Sequence, residues 1–374
     1  MRFIHTSDWQ LGKPFGRAPE AARGALQEAR LDAIDAMAAA ARREAVDWIL
    51  VAGDVFDSSE PGDRVFRQAL SRMKSAPDIR WALLPGNHDP ARADGLWSRL
   101  AAEAPDNVLP CVESTPIQLS EAAWLLPAPL QHKRAVDDPT AWFDRAETPP
   151  GARRIGLAHG AVHSFDGSAE TTNLLAADRA TTAGLDYLAL GDWHGRLQID
   201  SVTHYSGTPE PDDFGRRTTG VAVLVELRGG GAPPSLKDIA IGRHHWEEAA
   251  WTLSGQGDLA PRIDALAPGV ARKDLVLRLR LSGVVTLGER VNILARLEQE
   301  LAHEVRWMDL LAGDLFARAT NHDLADIDAN GVLREAAEQL QTLSVEGGVE
   351  GRRAAAALER LYIEHQRAQR SADV

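Results

Sequence analysis

Residues 46–57 read VDWILVAGDVFD, an apolar run over Trp48–Ala52 that stops abruptly on Gly53-Asp54. Trp, Ile, Leu and Val without polar alternation describe a strand buried on both faces. The Gly-Asp step places a carboxylate at the strand's carboxyl end, where open α/β sheets bind their ligands. The same grammar recurs in FIHTSD (3–8), RWALLPGNHD (80–89), RRIGLAHG (153–160) and LDYLALGDWHG (185–195). Between the first two strands, residues 20–45 carry Leu26, Leu31, Ile34 and Met37 at helical spacing. Strands alternating with helices predict an α/β fold.

Further along, HYSGTPEPDDFG (204–215) is a loop punctuated by Gly and Pro, and GVAVLVEL (220–227) is another strand. RGGGAPPS (228–235) is dense in Gly and Pro and reads as a linker. Beyond it the texture changes. DLVLRLRLSG (274–283) alternates apolar and charged residues, as a half-buried strand of a different sheet does. ERVNILARLEQELAHE (289–304) is an amphipathic helix with Val291, Leu294, Leu297 and Leu301 on one side. The expected division is 1–238 for the motif-bearing domain, 239–312 for a small α+β domain and 313–374 for a helical segment. Apolar positions in that segment (Leu333, Ala336, Leu340, Ala357, Leu361, Ile363) suit docking to a partner or folding back on the chain itself. There are no internal repeats.

The composition is that of a soluble globular chain: 374 residues, 44% hydrophobic and 25% charged. The lone Cys111 excludes an intrachain disulfide and fits a reducing compartment. The opening MRFIHTSDWQ has no apolar signal-peptide core, and no apolar run approaches the roughly 20 residues that span a bilayer. A cytoplasmic chain with no membrane partner is expected. The formal charge is −13, from 41 basic and 54 acidic side chains, which excludes a simple basic DNA-coating protein. The surplus is uneven, however: residues 1–100 hold 14 of each sign, while 101–250 hold 12 basic against 21 acidic and 301–350 hold 3 against 10.

Five strand-end clusters carry the chemistry: Asp8-Trp9-Gln10, Gly53-Asp54-x-x-Asp57, Gly86-Asn87-His88-Asp89, His159-Gly160 and Gly191-Asp192-Trp193-His194. Each offers a carboxylate, imidazole or amide oxygen to a divalent cation. Two such ions about 3.5–4 Å apart can clamp a phosphoryl group and activate water. They need a shared ligand, and Asp54, ending the most apolar strand, suits that place. A single Gly-Asp or His-Gly is an ordinary turn; the ordered set of five is the specific signal.

These motifs resemble those of the calcineurin-like metallophosphoesterases over roughly residues 1–220. HTSDWQLGK and YSGTPEPDDFG are similar to its SbcD-type DNA-repair exonuclease branch. The resemblance implies a four-layer α/β sandwich of two mixed sheets flanked by helices, a small capping domain, and a carboxyl-terminal segment that binds an SMC-like coiled-coil ABC-type ATPase. It also implies hydrolysis of DNA by metal-activated water, as an exo- or endonuclease, in a homodimer. Residue by residue, it gives one ion Asp8, Gln10, Asp54 and His194, and the other Asp54, Asn87, His159 and Asp192. His88 would stabilise the scissile phosphate or protonate the leaving oxygen, and Asp57 would orient the His88 ring.

Two positions depart from the family pattern, which has His where this chain has Gln10 and Asp192. An amide oxygen is a weaker ligand than imidazole, and Asp192 adds a hard, charged oxygen. The centre is therefore expected to prefer Mn²⁺, then Mg²⁺, with the Gln10 position held less tightly.

Lys13 and Arg17 follow the first metal loop and could meet DNA phosphates or lie solvated. Trp9 and Trp193 are expected to pack beneath the loops rather than stack on a base. His163 reads as a loop histidine, and His244-His245 have no assigned role. No P-loop is present, so any ATP dependence would come from another chain. Two other functions remain open to the sequence: a phosphoesterase of small or nucleotide substrates, and a non-catalytic scaffold for the ATPase.

Overall fold

The buried runs form parallel strands because both of their faces are covered. In this computed structural model, β1 (Arg2–Thr6), β2 (Trp48–Val51), β3 (Arg80–Leu83) and β4 (Val108–Pro110) lie side by side, all parallel. The second sheet takes β5 (Ile117–Ser120), β6 (Ala123–Ala128) and β7 (Arg153–His159). Strands β8 (Ala161–Val162) and β9 (Leu174–Leu175) pair as a separate ribbon. Next, β10 (Tyr187–Gly191), β11 (Leu197–Gln198) and β12 (Thr203–Tyr205) complete the second sheet in the order β11-β12-β10-β7-β6-β5. Finally β13 (Val221–Glu226) and β14 (Ser235–Ala240) return to the first sheet, running antiparallel beside β1 in the order β14-β13-β1-β2-β3-β4. The structure describes residues 1–162, 172–215, 220–228, 232–318, 320, 323, 327, 331–346 and 348–372.

Side chains alternate between the two faces of each strand. Phe3, Leu50, Ala52, Ala82 and Leu84 pack with Leu125, Ile155, Leu157, Tyr187 and Ala189 in the core between the sheets. Ile4, Ile49, Val51, Trp81 and Leu83 point the other way, under α1 (Glu20–Arg43), α2 (Asp63–Lys74) and α3 (Leu96–Glu103). Leu26, Leu31, Ile34 and Met37 of α1 are all buried there, as their spacing requires. The outer face of the second sheet (Ala158, Leu188, Leu190) is covered by Phe143 and by Ala180 of the short helix α4 (Arg179–Thr182). Two mixed six-stranded sheets flanked by helices result, in four layers. Each fully buried aliphatic or aromatic side chain contributes roughly 1.5–3 kcal/mol, which holds the layers in fixed register.

RGGGAPPS does not separate domains. It joins β13 to β14, antiparallel neighbours in one sheet, although residues 229–231 lie outside the described residues. Gly and Pro suit a hairpin loop as well as a linker, and composition alone does not distinguish the two.

The chain divides into two compact units, Met1–His245 and Trp246–Val374. In the second, β15 (His245–Leu253), β16 (Leu275–Thr286) and β17 (Trp307–Arg318) form their own sheet, with β16 and β17 parallel. Alternation in β16 buries Leu275, Leu277, Leu279 and Leu281 beneath Ile293, Leu297 and Leu301. The short helix α5 (Leu259–Asp264) adds Leu259 to this core. Helix α6 (Leu287–Arg296) starts on a capping box between Thr286 and Glu289. The tail helices, Val332–Val345 and Gly348–Ala372, fold back within this unit: Ala337, Leu358 and Tyr362 bury against Leu287 and Ile327. Among the described residues no helix is long and apolar enough to cross a membrane.

Candidate metal centre

The carboxyl ends of β1, β2, β3, β7 and β10 lie together, so five loops from two sheets converge. Main-chain bonds lace the first two: Asp8 N–H donates to Gly53 C=O at 3.1 Å, and Gln10 N–H to Asp54 C=O at 2.9 Å. The loops are tightly wound. Asp8, Gln10, Asp54 and Asp192 all have left-handed backbone, with φ of 55°, 41°, 53° and 99°. Such conformations cost of order 1–3 kcal/mol each and cluster where function over-determines the structure.

Two glycines of these loops are required by close approach. A Cβ on Gly86 would lie 2.1 Å from Asp54 Oδ1, and one on Gly53 (φ 86°) would lie 2.2 Å from His159 Nδ1. The Gly in Gly-Asp and Gly-Asn-His-Asp therefore lets a neighbouring site side chain pass against bare backbone.

Asp8, Gln10, Asp54 and His159 are buried, whereas Asn87, His88, Asp57, Asp192 and His194 are half-buried around them. Asp8, Asp54 and His159 each offer one ligand atom, all within 4.8 Å of one another. His159 donates Nδ1–H to the Ala52 carbonyl at 2.8 Å. Its Nε2 therefore faces Asn87 Oδ1 at 3.1 Å, Asp54 Oδ1 at 3.4 Å and Asp192 Oδ1 at 3.7 Å. A backbone-anchored ring presenting its other nitrogen to oxygen donors is the usual disposition of a metal-binding histidine.

Electrostatics agree. Burial opposes a charge on His159, but Asp54, then Asp8 and Asp192, outweigh it and push the imidazole up to about 9. Burial, with Asp8 and Asp54 beside it, raises the Asp192 carboxyl. Crowded buried carboxylates call for positive charge, and a divalent cation on Asp54, Asn87, His159 and Asp192 fits that demand.

The other expected position, Asp8, Gln10, Asp54 and His194, fits less well. Gln10 Oε1 accepts from Lys13 Nζ at 2.7 Å, and Gln10 Nε2 lies 3.3 Å from His194 Nε2. His194 Nε2 is 3.9 Å from Asp8 Oδ1. Both distal groups of Gln10 are thus engaged within the protein. Lys13, expected near phosphate, is turned into the centre; Arg17 is exposed, and among the described residues no hydrogen bond or ion pair ties it to the site.

His88 donates its main-chain N–H to Asp54 Oδ1 at 2.9 Å, and its Nε2 lies 4.0 Å from Asp54 Oδ2. Its Nδ1 bonds to Asp57 at 3.0 Å, through the main-chain carbonyl and not the carboxylate. The loop after β2 turns that carbonyl toward the ring, so the hydrogen bond expected of the Asp57 side chain is made by its backbone. Burial raises the Asp57 carboxyl itself.

Three residues to which sequence reasoning gave no role complete the centre. Asp89 is buried and accepts from Gly86 N–H at 2.8 Å and Phe56 N–H at 2.9 Å, tying the His88 loop to the Asp54 loop. Asp212 Oδ1 lies 3.1 Å from His194 Nδ1, while Arg30 and Lys13 pair with Oδ2 at 2.9 and 2.7 Å. Burial alone would raise Asp212, but Arg30, then His194 and Lys13, hold its carboxyl well below the usual range. Arg30 was visible as a charge among the apolar positions of α1; Asp212 had no spacing signal beyond its loop.

Trp9 is 2% exposed and meets Trp81 edge to face, and Trp193 packs against the outer core of the second sheet, so both serve packing. His244 is buried against Glu210, and His163 lies outside the described residues.

Comparison with known proteins follows the same line. A 216-residue stretch is 28% identical to the Bacillus subtilis protein named uncharacterized metallophosphoesterase YhaO, covering 54% of this chain and 51% of that protein. Shorter stretches resemble the D component of the SbcCD nuclease of Rhodobacter capsulatus (37% identical; 29% of this chain, 24% of the relative). The DNA double-strand break repair protein Mre11 of Halobacterium salinarum is 36% identical over 26% of this chain and 24% of its own. The matched region thus spans about half of YhaO and about a quarter of the other two relatives. Residues 1–225 match the calcineurin-like phosphoesterase family along the whole stretch that supplies the five loops, and the chain belongs to that family.

Proposed function

We propose that the chain is a metal-dependent phosphodiesterase acting on DNA, the nuclease subunit of a homodimeric complex with an SMC-like coiled-coil ATPase. The observation that carries the chemistry is the placement of His88 at the half-buried rim, beside Asp54 and above the buried acids. Partial similarity to relatives named as a nuclease component and a double-strand break repair protein supports DNA as the substrate. The neutral charge balance of residues 1–100 is compatible with it. Val332, Leu333 and Val345 remain exposed on the tail helices and support a docking partner.

Divalent cations, Mn²⁺ before Mg²⁺ on this oxygen-rich donor set, would neutralise phosphate charge and lower the pKa of a water. Asp8, Asp54, Asn87, His159, Asp192 and His194 would hold them, with Gln10 the weakest donor. The chain's own residues do the rest. The Asp57 carbonyl fixes His88 Nδ1, which leaves Nε2 directed to hold or release a proton at the leaving oxygen. Asp89 keeps the loop bearing Asn87 and His88 against the loop bearing Asp54.

The test incubates the full chain and Mn²⁺ with linear duplex DNA, single-stranded DNA or bis-para-nitrophenyl phosphate, beside His88→Ala. DNA cleavage lost in the variant is expected. Hydrolysis of the small ester but never DNA, even with an ATPase partner added, replaces this reading with a small-substrate phosphoesterase. Inactivity on all three replaces it with a scaffold.

A further inference from the structure

We infer that Lys13 is a built-in competitor for one of the two cation positions, so that the centre holds a single divalent ion tightly on its His159 side. A second ion then enters beside Asp8 and His194 only by displacing the Lys13 ammonium. This rests on the metal centre described above and concerns its occupancy rather than its substrate.

Lys13 lies three residues after Gln10, and the turn between them brings Lys13 N–H to Gln10 C=O at 3.1 Å. The side chain folds back over the same turn, placing Nζ 2.7 Å from both Gln10 Oε1 and Asp212 Oδ2. The Gln10 oxygen that would face a cation faces an ammonium instead. His194 is occupied too. Its Nδ1 lies 3.1 Å from the Asp212 carboxylate, and its Nε2, the nitrogen that would face a cation, lies 3.3 Å from Gln10 Nε2. Arg30 adds a second fixed positive charge on Asp212 Oδ2, with 1% of its side chain exposed.

The opposite side differs. Among the described residues no Lys or Arg side chain pairs with Asp54, Asn87, His159 or Asp192, and their donor atoms face one another. Two like charges in one poorly solvated site repel strongly. A cation beside Lys13 must therefore displace it from Gln10 Oε1 and Asp212 Oδ2 and part Gln10 Nε2 from His194 Nε2. Gln10 in place of the family's imidazole suits this arrangement, because its amide oxygen accepts from the Lys13 ammonium.

The experiment measures Mn²⁺ binding to the metal-free full chain by calorimetry, with free Mn²⁺ followed by electron paramagnetic resonance. The wild type, Lys13→Met, Lys13→Gln and Lys13→Arg are compared. One tight Mn²⁺ is expected in the wild type, with the second weaker by about 10–100-fold, the range in which groups behind the ligands alter metal affinity. Lys13→Met and Lys13→Gln should tighten the second ion by about 10-fold or more and leave the first unchanged, while Lys13→Arg retains the weak site. Two equally tight ions in the wild type overturn the inference, as does an unaltered second binding step in whichever neutral variant melts like the wild type. A wild type that binds no Mn²⁺ overturns the metal centre itself. Because binding is the readout, failure to cut DNA bears on the substrate alone.

Discussion

His194 Nδ1 lies 3.1 Å from Asp212 Oδ1, and this one contact decides which imidazole nitrogen looks into the centre. Asp212 also neutralises Arg30, whose side chain is 1% exposed. Removing one partner of a buried pair leaves the other charge uncompensated, at a cost of about 3–5 kcal/mol. Asp212→Ala should therefore lower the urea midpoint of the full chain clearly, whereas Asp212→Asn, which keeps the shape and an acceptor, should lower it less. An Asp212→Ala midpoint equal to wild type would contradict the buried network.

Gly86→Ala tests the close approach behind Asp54. The added Cβ would stand 2.1 Å from Asp54 Oδ1 and 2.4 Å from Asp54 N, so backbone or carboxylate must move. His88 N–H donates to that same oxygen, so both loops shift together. A displacement near 1 Å costs roughly 100-fold in rate. Turnover of bis-para-nitrophenyl phosphate should fall by about that factor and Mn²⁺ affinity should fall with it. Retention of both would mean that the loops give way without moving Asp54.

Much of this centre was legible because strand-end carboxylates follow apolar runs directly, and the eye can count the runs. Asp8, Asp54, Asn87, His159, Asp192 and His194 all emerged from that grammar and meet in space. The helix over 20–45 and the strand near 274–283 were equally plain, since one buried face repeats at 3.6 or 2 residues. What escaped is what periodicity does not encode. Asp212 reaches His194 across 18 positions of irregular chain. The Asp57 contact is made by a main-chain carbonyl, and every residue carries one. The hairpin loop after β13 looked like a domain boundary because its glycines and prolines report a turn, not what the turn connects.

His88 and Asp57 should behave unequally. His88→Ala removes the group at the rim and should lower kcat by about 100–10,000-fold on an alkyl phosphodiester, the usual range for a general acid or base. On bis-para-nitrophenyl phosphate the loss should be smaller, because para-nitrophenolate leaves without a proton. Mn²⁺ binding should be unchanged. Asp57→Asn keeps the main-chain carbonyl that anchors His88, so its loss should stay within about 10-fold. An Asp57→Asn loss as large as that of His88→Ala would assign the anchoring to the carboxylate after all.

His5 and His204 set a testable acid limit on the fold. His5 is fully buried, bonded through Nδ1 to Tyr187 Oη at 3.0 Å and through Nε2 to Leu190 C=O at 3.2 Å. Burial, reinforced by Arg196 and His204, pushes it down to about 3, and burial with Arg196 pushes His204 down to about 4. Both rings are therefore neutral in the folded chain at any pH above these values, while in the unfolded chain they take up protons as pH falls through about 6.5. A depressed folded pKa contributes stability that is fully present above the unfolded value and is lost as pH falls. The loss begins near pH 6.5, runs at up to about 1.4 kcal/mol per pH unit for each histidine, and ends once the folded rings protonate near 4 and 3. His5→Gln keeps a polar side chain at the same place but binds no proton. Between pH 6 and 4.5 its unfolding free energy should thus fall less steeply than the wild type's, by close to one proton per chain in urea titrations. Parallel slopes for the two proteins would mean that His5 is not held neutral in the core.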